Sequence, residues 1–194
     1  MKNRILITTM ALLFAATSAM AADYKIDSTH SSVQFKIKHL AISTVSGRFT
    51  DFNGTFSFDP KNMAASKAEA SIAAKSINTD QTKRDEHLRS ADFFDVAKFS
   101  ALTFKTNRVE AVSADSFKAH GDLSMHGVTK PVVLDVKYGG SVKDPMGTER
   151  AAFTATTSIS RKEFGLTYNS VLEAGGLALG ENVDVILEVE GIRQ

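Results

Sequence analysis

Apolar and polar residues alternate along most of this 194-residue chain, which is the pattern of strands with one buried and one exposed face. Val33, Phe35 and Ile37 share one face of such a strand, whereas Lys36 and Lys38 share the other. A short lead-in strand is predicted at 24–27, and eight full segments follow at 33–38, 52–58, 68–75, 102–105, 117–125, 132–138, 151–159 and 183–190. Eight amphipathic segments of this kind favour an antiparallel sheet.

Two features interrupt the alternation. Phe49 is out of phase with Phe52, which predicts a bulge or bend between them. A single helix is predicted at Thr82–Phe94, where Thr82 and Asp85 have the spacing of a capping box. Because this helix interrupts an otherwise all-β chain, we expect it to act as a lid or plug.

Eight antiparallel strands either close into a barrel or split into the two sheets of a sandwich, and alternation alone does not choose between them. The apolar faces mix phenylalanine with small residues, and this mixture can leave room for one small ligand inside an eight-stranded barrel. The alternative is that phenylalanine rings fill the room and form a dry core. The small residues are Gly54, Ala68, Ala70, Ala74, Thr106, Ala119, Gly121, Ala151, Ala155 and Thr157. The wall of any cavity would be almost uncharged, so the buried part of a ligand is expected to be apolar.

The first 21 residues differ from the rest and are predicted to be a cleaved secretory signal peptide. Lys2 and Arg4 precede an apolar run at 5–16, and 19–21 is a small-x-small cleavage pattern. The run is shorter than the roughly 20 residues that a membrane-spanning helix needs. We therefore expect one domain at 22–194, exported to a bacterial periplasm.

Composition and charge exclude several classes of function. The formal net charge is +1, from 23 basic and 22 acidic residues, so no long-range field favours nucleic acid or stable insertion into an anionic membrane. The chain has no cysteine, which excludes disulfides, thiolate metal sites and a thiol nucleophile. The histidines form no pair at metal-ligand spacing. We therefore expect neither a metal site nor a cofactor; the histidines are His30, His39, His87, His120 and His126.

Two short motifs contain residue types that can carry chemistry. The segment 27–31 includes Asp27, Ser28 and His30, the residue types of a hydrolase triad, but the chain has no G-x-S-x-G elbow and a polar turn fits better. Asp85 and Arg89 lie four residues apart on the predicted helix. That spacing is typical of a surface ion pair, and its alternative is a polar gate at a cavity mouth.

A series of segments, taken in order, resembles the YceI-like family of exported lipid-binding proteins. The segments are YKID (24–27), HS (30–31), FKIKHL (35–40), VSGRF (45–49), RDEHLRSADFFD (84–95), GVTKPV (127–132), ISRKEFGL (159–166) and LEAGG (172–176). The chain departs from the family pattern at Ser100, where proline is frequent, and at Ala152, where glycine is common. The resemblance implies an eight-stranded antiparallel lipocalin-like barrel that binds a polyisoprenoid, an isoprenoid quinone or another long amphiphile.

With this resemblance, we expect a non-enzymatic carrier or reservoir whose ligand tail lies inside the barrel and whose head lies at the mouth. The residues predicted to contact the tail are Phe35, Ile37, Phe56, Leu102, Phe104, Leu123, Leu134, Val136 and Phe153. The residues predicted to lie at the head or mouth are His39, Arg48, Arg84, His87 and Asn169.

Two other functions are compatible with the sequence. One is a lipid-directed hydrolase or isomerase with His30, His87 or His126 as general base at the barrel mouth, which requires a base, an orienting partner and a nucleophile close together. The other is a structural or partner-binding protein, which would have a filled barrel and a large exposed apolar patch. A homodimer is compatible with each of the three functions.

Overall fold

The alternating segments form one continuous sheet in the computed structural model, which describes residues 21–171 and 176–194. The strands are β1 (Ala22–Ile26), β2 (Ser32–His39), β3 (Ser43–Phe49), β4 (Phe52–Phe58), β5 (Lys67–Ala73), β6 (Ile77–Asn78), β7 (Ala101–Ala111), β8 (Ser116–Met125), β9 (Val128–Lys143), β10 (Glu149–Ser160) and β11 (Leu179–Arg193). The α-helix of the described ranges, α1, is Thr82–Arg89, and short 3₁₀ segments lie at Met63–Ala65, Ala74–Ser76 and Arg161–Phe164. The predicted signal peptide lies outside the described residues except for Ala21.

The eleven strands occupy eight positions around a closed barrel. Three positions are each shared by two strands that lie end to end, namely β1 with β2, β3 with β4 and β5 with β6. The barrel closes because β1 and β2 both pair with β11, and the pairings are antiparallel. The predicted all-β fold, an eight-stranded antiparallel lipocalin-like barrel with a short helix between strands, is confirmed.

The hydrophobic pattern locates most strands but not β3 and β6. Strand β3 contains only two large apolar residues, Val45 and Phe49, and β6 is two residues long, so neither carries a clear alternation. The predicted bend is confirmed, since β3 ends at Phe49 and β4 begins at Phe52. At this bend the Thr50 N–H donates to the Ser76 carbonyl at 3.2 Å, which holds β3 and β4 against the next strand position.

The helix is shorter than the sequence pattern predicts, since α1 ends at Arg89 and not at Phe94. The Ser90 N–H and its hydroxyl both donate to the His87 carbonyl, at 3.1 and 2.8 Å, and these two bonds cap the last turn. The chain then turns through Asp95, which has a left-handed φ of 42°. Serine competes for helical carbonyls in this way, so it ends helices more readily than it continues them.

The predicted capping box at the start of α1 is wrong. The N-cap residue is Gln81, not Thr82, and its side-chain oxygen accepts the Arg84 N–H at 2.5 Å. Asp85 is buried, and its carboxylate accepts from the N–H and the hydroxyl of Thr79 at 2.8 and 2.5 Å. This carboxylate therefore fixes the segment that leads into α1.

The predicted surface ion pair between Asp85 and Arg89 is also wrong. Arg89 donates through Nε to the Lys75 carbonyl and through Nη2 to the Ile77 carbonyl, both at 2.7 Å. Together with Asp85, Arg89 attaches α1 to the barrel wall where β5 meets β6.

Aromatic rings fill one end of the barrel, the end at which β1 begins and β9 turns into β10. Phe153 is the central ring, with centroid distances of 5.2 Å to Phe56, 4.8 Å to Phe58, 6.3 Å to Phe117 and 5.3 Å to Tyr138. We call this group the aromatic plug; its members are Tyr24, Phe56, Phe58, Phe117, Tyr138 and Phe153. The plug closes this end, and we call the opposite end, beside α1 and the start of β11, the open end.

Glycines provide space for phenylalanine rings along the inner wall. A Cβ atom at Gly47 would overlap the Phe35 ring, and one at Gly121 would overlap the Phe104 ring. The Phe56 ring lies over Gly191 in the same way. The Phe35 and Phe104 rings therefore lie against the neighbouring strand, and the Phe56 ring lies against β11, two strands away; all three take up less of the barrel interior.

Candidate functional site

An apolar cavity of about 490 Å³ lies inside the barrel between the aromatic plug and the open end. Its floor is formed by Leu134, Leu187 and Val189, which line the cavity and pack on the plug. At the open end the cavity is lined by His39 and by Leu88 of α1. Cavities of this volume are in the range that binds small molecules.

Burial along β9 shows where the cavity stops. Val132, Leu134 and Val136 all face the barrel interior, but only Val136 is fully buried. Val132 and Leu134 are half-buried because they face open space, whereas Val136 packs in the core beside the plug. The barrel thus has a filled half and a hollow half. Residue size left open whether the interior holds room for a ligand or a dry core of phenylalanine rings, and each describes one half.

Six of the nine predicted tail residues line the cavity, namely Phe35, Ile37, Leu102, Phe104, Leu123 and Leu134. The other three, Phe56, Val136 and Phe153, do not line it and lie in or beside the plug. The sequence assigns each of them correctly to the inner face. Alternation determines the face of a strand but carries no information about the depth at which a residue lies in the barrel.

Several lining residues are absent from the sequence-based set. Val183, Val185 and Leu187 face the cavity from β11, where their alternation identified the inner face. Phe93 and Phe94 reach it from the turns that follow α1. Because the sequence pattern predicts a helix through Phe94, it gives no sign that these two rings enter the cavity.

At the mouth, the structure places three of the five predicted head residues on the cavity lining: His39, Arg84 and His87. Arg84 is held by Thr79, since its Nε donates to the threonine hydroxyl at 2.7 Å and its Nη2 to the carbonyl at 2.8 Å. The His87 Nε2 lies 2.9 Å from a carboxylate oxygen of Asp92.

An aromatic group surrounds His87 at this mouth. Its ring lies edge-on to Phe93 and Tyr168, with centroid distances of 5.0 and 4.9 Å, and Phe93 and Tyr168 are 4.8 Å apart. The three rings join α1, the turns after it and the loop that precedes β11. They narrow the entrance to the cavity.

The other two predicted head residues do not line the cavity. Arg48 forms an exposed ion pair with Asp80, with nitrogen–oxygen distances of 3.0 and 3.2 Å. Asn169 is structural, since its side-chain oxygen accepts the Leu179 N–H at 2.9 Å and its amide donates to the Leu179 carbonyl at 2.8 Å. It attaches the loop that precedes β11, described at 165–171 and 176–178 and called the mouth loop below, to the first residue of β11.

Arg161 lines the cavity but was not predicted from sequence. It is 3% exposed, and its Nε donates to the Gly180 carbonyl at 2.9 Å. Its Nη1 donates to the carbonyls of Leu166 and Tyr168, at 2.5 and 2.9 Å. Burial lowers the pKa of this guanidinium, while the charge of nearby Glu181 acts in the opposite direction. Arg161 thereby connects the mouth loop to β11.

Exposed apolar residues surround the entrance. Ile42, at the turn between β2 and β3, is 86% exposed, and Val171 is 80% exposed. Leu40 and Leu177 are also exposed, and the Leu40 N–H donates to the Ala178 carbonyl at 2.7 Å. The apolar surface of the cavity therefore continues onto the rim of the open end.

The triad-like segment after β1 forms a polar turn, in which the Thr29 N–H donates to an Asp27 carboxylate oxygen at 3.0 Å. Asp27 also accepts from His30 Nδ1 and from Arg150 Nη1, both at 2.8 Å. Ligand atoms of Asp27, His30 and Glu190 lie within 4.8 Å of one another, a spacing that a metal ion could bridge. The Arg150 guanidinium already pairs with both carboxylates, at 2.8 Å to Asp27 and 2.6 Å to Glu190. The expectation of no metal site stays a prediction.

We expect Asp27 to make the protein sensitive to acid. Hydrogen bonds from His30 and then Arg150 hold the pKa of the Asp27 carboxyl well below its usual range. A depressed pKa stabilises the fold at pH values above the unfolded-state pKa of about 4, and this stabilisation is lost as the pH falls below it. Asp27→Asn should therefore be less stable at pH 7, and its stability should change less between about pH 5 and pH 3. Urea unfolding across this range measures the slope.

Asp80→Asn is the matched control for this prediction, because the Asp80 side chain is 70% exposed in its pair with Arg48. Its stability should follow the wild-type dependence on pH. Equal slopes for Asp27→Asn and the wild type would contradict the assignment.

The three histidines of the enzymatic alternative have separate surroundings. His30 contacts Asp27 on the turn after β1, and His87 contacts Asp92 at the mouth. His126 has Nδ1 3.2 Å from the Phe164 carbonyl, and its ring lies against Phe99 with a centroid distance of 4.7 Å. His87 alone of the three lines the cavity.

Within the described ranges, the helical segments are too short or too polar to cross a membrane.

The chain is similar to known proteins in both sequence and fold. A sequence profile of the YceI-like domain matches residues 24–191. Protein YceI of Escherichia coli O6:H1 is 44% identical over 197 residues, covering 100% of both chains. The solved YceI protein of Campylobacter jejuni is 30% identical, with a TM-score of 0.70 over 97% of this chain and 99% of that one. A polyisoprenoid binding domain from Saccharophagus degradans is 20% identical, with a TM-score of 0.65 over 90% of this chain and 99% of that one.

Proposed function

Because the chain belongs to the YceI-like family, we propose that it is an exported binding protein that holds a long apolar amphiphile inside its barrel, as a carrier or reservoir. The observation that carries this proposal is the apolar cavity of about 490 Å³ in the hollow half of the barrel. The S. degradans domain, which has the same fold, is named for polyisoprenoid binding. A polyisoprenoid or an isoprenoid quinone has the tail that such a cavity can take.

Burial of the tail supplies the driving force for binding. Each methylene removed from water contributes about 0.8 kcal/mol, so a tail of about ten carbons compensates for the cost of association. The lining offers few polar partners along Val183, Val185 and Leu187. A charged or strongly polar group would lose its hydration there without replacement.

The polar head of the ligand belongs at the open end. Arg84 and His87 line the cavity there, close to the aromatic pair Phe93 and Tyr168. Among the described residues, the hydrogen bonds of the Arg84 side chain go to Thr79 and use Nε and Nη2, so Nη1 can donate to a ligand. This arrangement suits an acceptor oxygen on the head, such as a carbonyl or a phosphate.

Export is part of the proposal and is supported by the sequence of residues 1–21. A basic start, an apolar run and a small-x-small pattern direct secretion and are then removed. A periplasmic location places the protein between two membranes, where an apolar ligand needs shielding from water.

The binding role requires no catalytic group, and we propose that the protein is not an enzyme. An acyl or proton transfer needs a base, an orienting partner and a reacting group within hydrogen-bond distance. His87 with Asp92 supplies the first two at the mouth. The neighbours that enclose the His87 ring are the aromatic residues Phe93 and Tyr168, which narrow the entrance to the cavity.

Mass spectrometry of the protein isolated from its own periplasm tests the function. Without detergent, the native mass should exceed the polypeptide mass. Denaturation should reduce the mass to that of the polypeptide, and solvent extraction of the native protein should release an apolar compound. The N-terminus of the isolated chain should be residue 22. A native mass equal to that of the polypeptide, with nothing apolar in the extract, would contradict the carrier role.

A further inference from the structure

We propose that the aromatic plug and the floor above it limit the hydrocarbon tail that this barrel takes to about 20 carbons. The inference rests on the binding role proposed above and adds the size class of the ligand. A dry cavity of about 150 Å³ is known to take benzene, which corresponds to about 25 Å³ per carbon. At that density the cavity of about 490 Å³ holds about 20 carbons.

The floor rests on the closely packed rings of the aromatic plug. Leu134, Leu187 and Val189 form the floor and pack on the plug. Val189 is the register partner of Phe153, whose ring contacts four other rings of the plug. Ala155, the register partner of Leu187, is 5% exposed. Close packing of this kind leaves no path by which a tail could extend past the floor without displacing several rings.

The other end of the cavity is open, so a longer tail is not excluded from binding. Its surplus carbons would lie at the rim, near Leu40, Ile42 and Val171, which are exposed. Carbons at the rim stay partly in water and add little affinity. The ligand class is therefore an amphiphile with about 20 buried carbons, such as a linear acyl chain or a polyprenyl chain of about four units.

A series of linear fatty acids with about 12 to 28 carbons tests this limit, measured by displacement of the apolar dye N-phenyl-1-naphthylamine below the aggregation point of each acid. Affinity for the wild-type protein should rise about fourfold per added carbon and then level off near 20 carbons. Leu134→Ala removes about three carbons from the floor and should move the break up by about three carbons. Leu134→Phe adds about three and should move it down by a similar number.

Val133→Ala is the matched control, because Val133 is the neighbouring residue of β9 and faces outward at 39% exposure. Its break should coincide with that of the wild type. If affinity rises without a break up to the longest acid, or if both Leu134 variants keep the wild-type break, the length limit is wrong although the binding role stands. If no acid displaces the dye from the wild-type protein, and the protein isolated from its periplasm releases no apolar compound, the binding role itself fails.

Discussion

Replacing Thr157 with tryptophan should abolish ligand retention without unfolding the barrel. Thr157 lies on β10, lines the cavity and is the register partner of Val185 on β11. An indole at this position would occupy space that otherwise holds about six carbons of the tail. At about 0.8 kcal/mol per carbon, the affinity for a long fatty acid should fall by a hundredfold or more. Dye displacement measures this loss.

The neighbouring residue supplies the control for this substitution. Thr156 has the same side chain, lies on the same strand and is exposed on the outer face. Thr156→Trp should therefore keep wild-type affinity, and both variants should keep the far-ultraviolet circular dichroism of the wild type. Equal affinities for the two tryptophan variants would show that the ligand does not occupy the barrel interior.

Replacing Arg161 with methionine should destabilise the protein by about 3 kcal/mol. The buried guanidinium satisfies the buried carbonyl of Leu166 and the part-buried carbonyls of Tyr168 and Gly180, and a buried carbonyl left without a donor costs about 1 to 3 kcal/mol. Arg161→Lys should not restore this stability, because one ammonium group lacks the fork of donors that reaches three separate carbonyls. Urea unfolding gives the free energies.

Arg48→Met is the matched control for the arginine substitution. Arg48 is also a barrel arginine, on β3, but its side chain is 49% exposed and pairs with the exposed Asp80. Exposed ion pairs of this kind contribute little to stability. A change for Arg161→Met as small as that for Arg48→Met would mean that the mouth loop does not depend on the buried guanidinium.

The sequence was sufficient to predict the barrel, because period-two alternation in eight segments reflects which strand face is buried. It was not sufficient to predict how far the interior is filled. Val136 and Leu134 are both apolar, lie two residues apart and face the same way, yet one packs beside the plug and the other faces the cavity. That difference depends on which rings from distant strands converge, and a local pattern contains no such information.

The mouth was the least predictable part of the site. The sequence predicts Arg84 and His87 as mouth residues from their residue types and their position in a polar segment between strands, and both line the cavity. Arg161 follows a strand and has the appearance of an ordinary surface cation, and only tertiary structure reveals its burial. The sequence pattern predicts a helix through Phe94, but the helix ends five residues earlier, at Arg89, because the Ser90 cap competes with an otherwise acceptable helical sequence.

The glycines beneath the phenylalanine rings bear on how the capacity of this barrel can change in evolution. The Phe35 ring lies over Gly47, so a methyl group added at residue 47 would push the ring toward the lumen. A substitution outside the ligand-contacting set can therefore reduce the internal volume, and its reversal can restore it. Relatives with one fold can in this way acquire different ligand preferences while the residues that touch the ligand stay the same.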